Sequence, residues 1–117
     1  MRKISKKRAK ETPEYNRVCK EIRDDPALRF CIFCLRPVNL PGEIHHLEGR
    51  DGDLYAEKEN LFLSHHDCHH HYHHSTVEVL LRFNWYLNFV RRLEDINFRV
   101  HMKEINRLDK SNIEYKL

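Results

Sequence analysis

Two sets of residues in this chain have the types and spacings that metal chemistry needs. The first is Cys31-x-x-Cys34 and, with thirty residues between, His65-x-x-Cys68. An x-x spacing lets one tight turn present two ligands to one ion. Two such pairs suit a tetrahedral structural zinc site with three cysteines and one histidine. Cys19 and His66 are the alternatives to His65 as the fourth ligand. The second set is His45-His46, Asn60 and His69-x-x-x-His73. Residues i and i+4 of a helix share a face, so His69 and His73 can bind one ion together, with His45 as a third ligand from a strand. Alternation along that strand turns His46 to the opposite side, free of metal and suited to act as a base. A neutral imidazole near pH 7 can take a proton from water. Three neutral ligands leave an ion its full charge and open positions for water and phosphate. His66, His70 and His74 also follow i, i+4 spacing and form a competing register.

Each of these residues needs an element to hold it. Residues 30–42 read as a knuckle, with a tight cysteine turn and a second turn at Leu40-Pro41-Gly42. Residues 43–47 suit a short strand and residues 60–64 a second one, with Leu61 and Leu63 on one face and Phe62 on the other. The polar stretch 48–59 between them, with Gly49 and Gly52, reads as a loop in which Arg50 is a candidate phosphate contact. A histidine-rich helix is expected over 67–74.

The flanking segments are helical by pattern. Thr12-Pro13 reads as a cap followed by proline in the first turn, opening a helix over 13–23 that buries Tyr15, Val18, Cys19 and Ile22. Cys19 on that face reads as a packed core thiol. Asp24-Asp25-Pro26 ends the helix. Ser75, with Glu78 three residues on, resembles a capping box. Residues 77–108 contain neither Gly nor Pro and carry two apolar lines: Trp85, Phe89, Leu93, Ile96 and Val100, and Leu80, Phe83, Leu87 and Val90. These predict one long helix or two shorter ones packed on the domain core.

Composition sets the frame. A chain of 117 residues fits one domain with a modest core, which a structural metal would reinforce. Nine of the ten histidines fall between His45 and His74. In a reducing cytosol a close cysteine pair suggests metal before disulfide. Residues 1–23 hold nine Lys/Arg against three Glu, a net of +6, whereas residues 24–117 carry a net of −3. A basic arm (residues 1–11) on a mildly acidic body (residues 12–117) is a footprint of phosphate-backbone binding. No apolar run is long enough to span a membrane, and the basic N-terminus has no apolar segment behind it. No membrane partner is expected, and cytoplasmic residence is.

Residues 31–73 resemble the HNH endonuclease family, the ββα-metal nucleases, in the zinc-bearing form common in phages, mobile elements and restriction systems. The matching signature is Cys31 and Cys34, then Glu43-Ile44-His45-His46-Leu47, then Asn60-Leu61-Phe62-Leu63, then His65 to His73. The doubled histidine, the asparagine fourteen residues after His46 and the pair His69 and His73 are similar to the colicin-type nucleases. His65 departs from the pattern, since zinc-bearing members usually have cysteine there.

The resemblance implies an α+β fold: a small ββα-metal core (motif region 31–74) with a zinc knuckle, an N-terminal helix and C-terminal helices over 75–108. It implies His46 as general base, His45 in the first metal-ligand position, Asn60 holding the fold and orienting the base, and His69 and His73 as the helical ligands. It favours that pair over His66, His70 and His74. The expected activity is hydrolysis of DNA phosphodiester bonds, with RNA as a further candidate substrate. The expected cofactors are a structural Zn²⁺ and a catalytic divalent ion (Mg²⁺, Mn²⁺, Co²⁺, Ni²⁺ or Zn²⁺). A second copy joined through the C-terminal helices is a further candidate partner, and a bacterial or phage-infected cell the expected setting. The competing expectation is a non-catalytic zinc module that binds nucleic acid or a protein; it needs neither His46, Asn60 nor the His69/His73 pair.

Overall fold

The computed structural model describes residues 6–49 and 56–117. Arg50 and Gly52 of the inter-strand loop lie outside them. The first element, helix α1 (Lys6–Asp24), begins well before the expected start and contains Pro13. The sequence ahead of Pro13 is rich in Lys, Arg, Ala and Glu, which favour helix. Pro13, a full two turns in, forfeits its own i→i−4 hydrogen bond, a cost that the helix formers around it offset. The basic segment is therefore helical from Lys6 onward. Val18, Cys19 and Ile22 form the buried face. The helix ends at Asp24, and Asp25 caps the following 3₁₀ turn (Pro26–Leu28) by accepting from the Ala27 N–H at 2.9 Å.

Next comes the knuckle. Phe30 bridges Pro37, the Cys31 N–H donates to the Arg36 carbonyl at 2.9 Å, and the Leu35 N–H donates to the Cys31 carbonyl at 2.9 Å. Gly42, at φ +61°, turns the chain into the sheet, where a Cβ would lie 2.6 Å from Val38 Cγ1. A larger residue there would meet both an unfavourable backbone conformation and a clash.

Strands β1 (Glu43–His46) and β2 (Leu61–Ser64) pair antiparallel, with Glu43 opposite Ser64, His45 opposite Phe62 and His46 opposite Leu61. Each is one residue shorter than expected. Asn60 instead closes a 3₁₀ turn (Lys58–Asn60), and its carbonyl accepts from the Leu47 N–H at 2.8 Å. Helix α2 (His66–His74) follows directly on β2.

The C-terminal segment forms three helices, not one or two: α3 (Val77–Leu80), α4 (Tyr86–Ile96) and α5 (Phe98–Lys110). The break between α4 and α5 needs neither Gly nor Pro. Asn97 leaves helical geometry and its side chain accepts from the Val100 N–H at 3.2 Å, starting a new helix. The cap of α3 is Thr76, which accepts from the Val79 N–H at 3.4 Å, whereas Ser75 ends α2. Most of the two apolar lines face the core, since Leu80, Trp85, Phe89, Val90, Leu93 and Val100 are buried and Phe83 and Leu87 half-buried, whereas Ile96 is exposed. The whole is a small α+β fold, a two-stranded antiparallel sheet among helices. Among the described residues no helix is long and apolar enough to cross a membrane.

Phe33, between the knuckle cysteines, is the hub of the core. Its fully buried ring lies 4.9 Å from the rings of His45, Tyr72 and Phe89 and 5.4 Å from Trp85. Behind it sits the buried carboxylate of Glu104. The Tyr72 hydroxyl donates to one oxygen at 2.5 Å and the Tyr86 hydroxyl to the other at 2.6 Å. Arg107 approaches to 3.8 Å and also donates to the Ser75 carbonyl at 3.0 Å. Burial, with the carboxylate beside them, pushes both tyrosine hydroxyls above their usual range. One side chain thus ties α2, α4 and α5 together. Glu104→Ala, which strips both hydroxyls of their acceptor, is expected to lower the unfolding free energy by about 2–4 kcal/mol. Chemical denaturation measures this, and a loss under about 0.5 kcal/mol would mean that water replaces the carboxylate at little cost.

Candidate metal centres

The knuckle, the end of β2 and the first turn of α2 bring Cys31, Cys34, His65 and Cys68 together, with one ligand atom from each within 4.8 Å of the others. His65 Nδ1 lies 3.2 Å from Cys34 Sγ and 3.9 Å from Cys68 Sγ. Tetrahedral zinc with ordinary Zn–S and Zn–N bonds separates such atoms by roughly 3.5 Å. The other ring nitrogen of His65 donates to the Pro37 carbonyl at 2.8 Å, which leaves Nδ1 as the lone-pair nitrogen. The His65 backbone N–H donates to Cys31 Sγ at 3.4 Å, a contact that favours thiolate. His65, not Cys19 or His66, therefore completes the set. Cys19 is in the buried face of α1, and His66 turns to Glu43.

Burial and the neighbouring sulfurs push the Cys68 thiol well above its usual range, so this cluster favours thiolates only with a cation among them. Arg92 adds positive charge near Cys31 and Cys34 while donating to the Phe33 carbonyl at 2.9 Å. The group can hold a structural metal such as zinc.

The second cluster joins β1 to α2. His45, His69 and His73 also each offer a ligand atom within 4.8 Å of the others. His45 is buried under the Phe33 ring, whereas His69 and His73 lie one turn apart on α2. Their Nε2 atoms are 3.1 Å apart. Two imidazoles in adjacent positions on one ion, at ordinary bond lengths, stand roughly 3.0–3.4 Å apart. His45 Nδ1 is buried and has no hydrogen-bond partner among the described residues. Burial first, then His69 and His73, hold the His45 pKa well below its usual value. Burial likewise lowers that of His73, with His69 and His74 contributing. Both are neutral near pH 7, the form that ligates. The donor set therefore fits a divalent ion.

Glu43 emerges here with a role that the sequence did not assign. It stands two residues before His45, on the same strand face, and its carboxylate accepts from His69 Nδ1 at 2.6 Å and from His66 Nδ1 at 2.5 Å. The bond from His66, seconded by that from His69, holds the carboxyl below its usual range despite partial burial. A carboxylate on Nδ1–H fixes the His69 tautomer and leaves Nε2 directed at the cluster. Glu43→Gln is expected to weaken divalent-ion binding at this cluster about 10–100-fold while leaving the cysteine cluster loaded. Metal titration of the two proteins checks this, and equal affinities would remove Glu43 from the site.

His46 is not part of the cluster. Its ring stacks on Tyr15 of α1 at 5.6 Å and 18°. Asn60 is buried, and its side chain staples the residues just after His46: Oδ1 accepts from the Glu48 N–H at 2.7 Å and Nδ2 donates to the Gly49 carbonyl at 3.0 Å. It fixes the path of the chain leaving β1. His71 is half-buried against Phe83, with ring centroids 4.8 Å apart. Beside the cysteine cluster runs an open groove of about 1020 Å³, lined among others by Arg36, Arg92, Asn84, Asn88 and His65. Comparison of this chain with protein-family models, with curated proteins and with solved structures gave no match.

Proposed function

We propose that this chain is a metal-dependent endonuclease of the HNH type, with β1, β2 and α2 as its ββα core. The observation that carries the reading is the convergence of His45, His69 and His73 on one point, with His46 next to His45 and outside the cluster. A purely structural zinc module needs only the cysteine set. It gives no reason for a second, separate cluster of three imidazoles, one of which, His69, has its tautomer fixed by a carboxylate.

The chemistry follows from the residue types. A divalent ion held by His45, His69 and His73 would supply positive charge to the scissile phosphate and the departing 3′-oxygen. Glu43 keeps His69 oriented for that task. His46 takes the proton of the attacking water through a ring nitrogen. Tyr15, stacked on its face, limits the orientations of that ring, and Asn60 fixes the backbone from which it projects. The net charge of +6 over residues 1–23 and the arginine-lined groove support contact with a nucleic-acid backbone. DNA is the proposed substrate.

Incubation of the zinc-loaded protein with supercoiled plasmid and Mg²⁺, Mn²⁺, Co²⁺ or Ni²⁺ tests the reading, with linear, branched and single-stranded DNA alongside. Conversion to nicked or linear product that EDTA stops is expected. Binding without cleavage under every metal would favour the non-catalytic zinc module.

A further inference from the structure

We propose that His70 and His74 form a third metal site, a two-histidine surface site for a borderline transition cation such as Ni²⁺, Cu²⁺ or Zn²⁺. Both residues are exposed on α2 and stand four apart, so they share one face of the helix. Their ring centroids lie 4.5 Å apart, compared with 4.6 Å for His69 and His73. The latter pair, with its rings at 80°, brings its Nε2 atoms to 3.1 Å; the His70 and His74 rings are inclined at 33°, and rotation of these two exposed side chains at the same ring separation brings their nitrogens to a common ion. Neither His70 nor His74 belongs to either cluster described above. Among the described residues neither ring is held by a hydrogen bond, so no partner must be displaced before an ion binds.

The geometry also sets the limits of the site. His66, next on the same line, lies farther from His70, with ring centroids 6.2 Å apart, and its Nδ1 is bonded to Glu43. It does not join, and the site has two protein ligands with water in the remaining positions. Imidazole ligands select Cu, Ni and Zn over Mg and Ca. The outer ion is bound more weakly than one held by three histidines, and exchanges with solution. The helix thus carries two metal-binding faces in alternate registers: an inner one completed by His45 from the sheet and an outer one completed by water.

Nickel titration of the full chain with its cysteine cluster zinc-loaded, followed by calorimetry and by metal analysis after equilibrium dialysis, tests the inference. The wild type is expected to take up two equivalents of Ni²⁺ beyond the retained zinc. His70→Gln/His74→Gln should lose one of them, and the single variants His70→Ala and His74→Ala should each lose the same one. His69→Gln/His73→Gln should keep the outer equivalent. Because both positions are solvent-facing, circular dichroism and zinc content of the outer variants should match the wild type. Uptake in His70→Gln/His74→Gln equal to that of the wild type would overturn the proposal. If instead the only equivalent seen is abolished by the outer substitutions, the surface site stands and the inner ion site fails.

Discussion

Replacing His46 with alanine should cut the rate of DNA hydrolysis by about 10²–10⁴, the usual worth of a positioned proton acceptor. Zinc content, folding and DNA binding should stay close to wild type. His46 lies outside both metal clusters, with its ring stacked on Tyr15, so its replacement removes no metal ligand. His69→Ala and His73→Ala should also lose activity, by a different route. Each removes one of three ligands, so the ion is bound more weakly and more of it is needed. Asn60→Ala should fall between these cases. It releases the Glu48 N–H and the Gly49 carbonyl, and with them the backbone that carries His46.

The second large effect concerns the cysteine cluster. Cys31→Ser and Cys68→Ser should each lose the retained zinc and most of the folded state. Structural zinc contributes on the order of 10–16 kcal/mol in small domains. That equals or exceeds the about 5–15 kcal/mol by which a typical domain is stable. Phe33 lies between two of the ligands and touches His45, Tyr72, Trp85 and Phe89, so disorder of the knuckle removes the hub of the core. His65→Ala should follow the cysteine variants, because its Nδ1 is the fourth donor. Zinc analysis after dialysis, paired with thermal unfolding, measures both quantities. A folded Cys68→Ser that retains a full equivalent of zinc would show that the sulfur is not a ligand.

The parts of the fold that were legible in the sequence are those governed by short-range period. Alternation placed His45 and His46 on opposite sides of a strand, and i, i+4 spacing put His69 and His73 on one helix face. The paired x-x spacings pointed to Cys31, Cys34 and Cys68, but left His65, His66 and Cys19 open as the fourth ligand. That choice depends on the exit from β2, where His65 meets the Pro37 carbonyl, a contact between residues 28 apart in sequence. Glu43 carried a readable signal, two residues before His45 on one strand face. Its partners lie on α2, however, and only the packing of α2 on the sheet reveals them. The Tyr72–Glu104–Tyr86 network was illegible for the same reason, since a lone glutamate in a helix reads as a solvated charge. The start of α1 was not legible, because Pro13 reads as a helix boundary whereas the residues ahead of it favour helix strongly enough to continue through it. Asn97 ended a helix without the usual Gly or Pro because its side chain offers the backbone a competing acceptor.

The most direct measurement is a Mn²⁺ titration of supercoiled-plasmid cleavage by the wild type, His46→Ala and His73→Ala side by side, each with its zinc content verified. Rising Mn²⁺ should restore a substantial part of the His73→Ala rate and leave His46→Ala at its low plateau, because one variant has lost a ligand and the other a proton acceptor. Cleavage by His46→Ala at the wild-type rate, or its recovery by metal as full as that of His73→Ala, would contradict the assignment of His46 as the base and of His45 as the ligand.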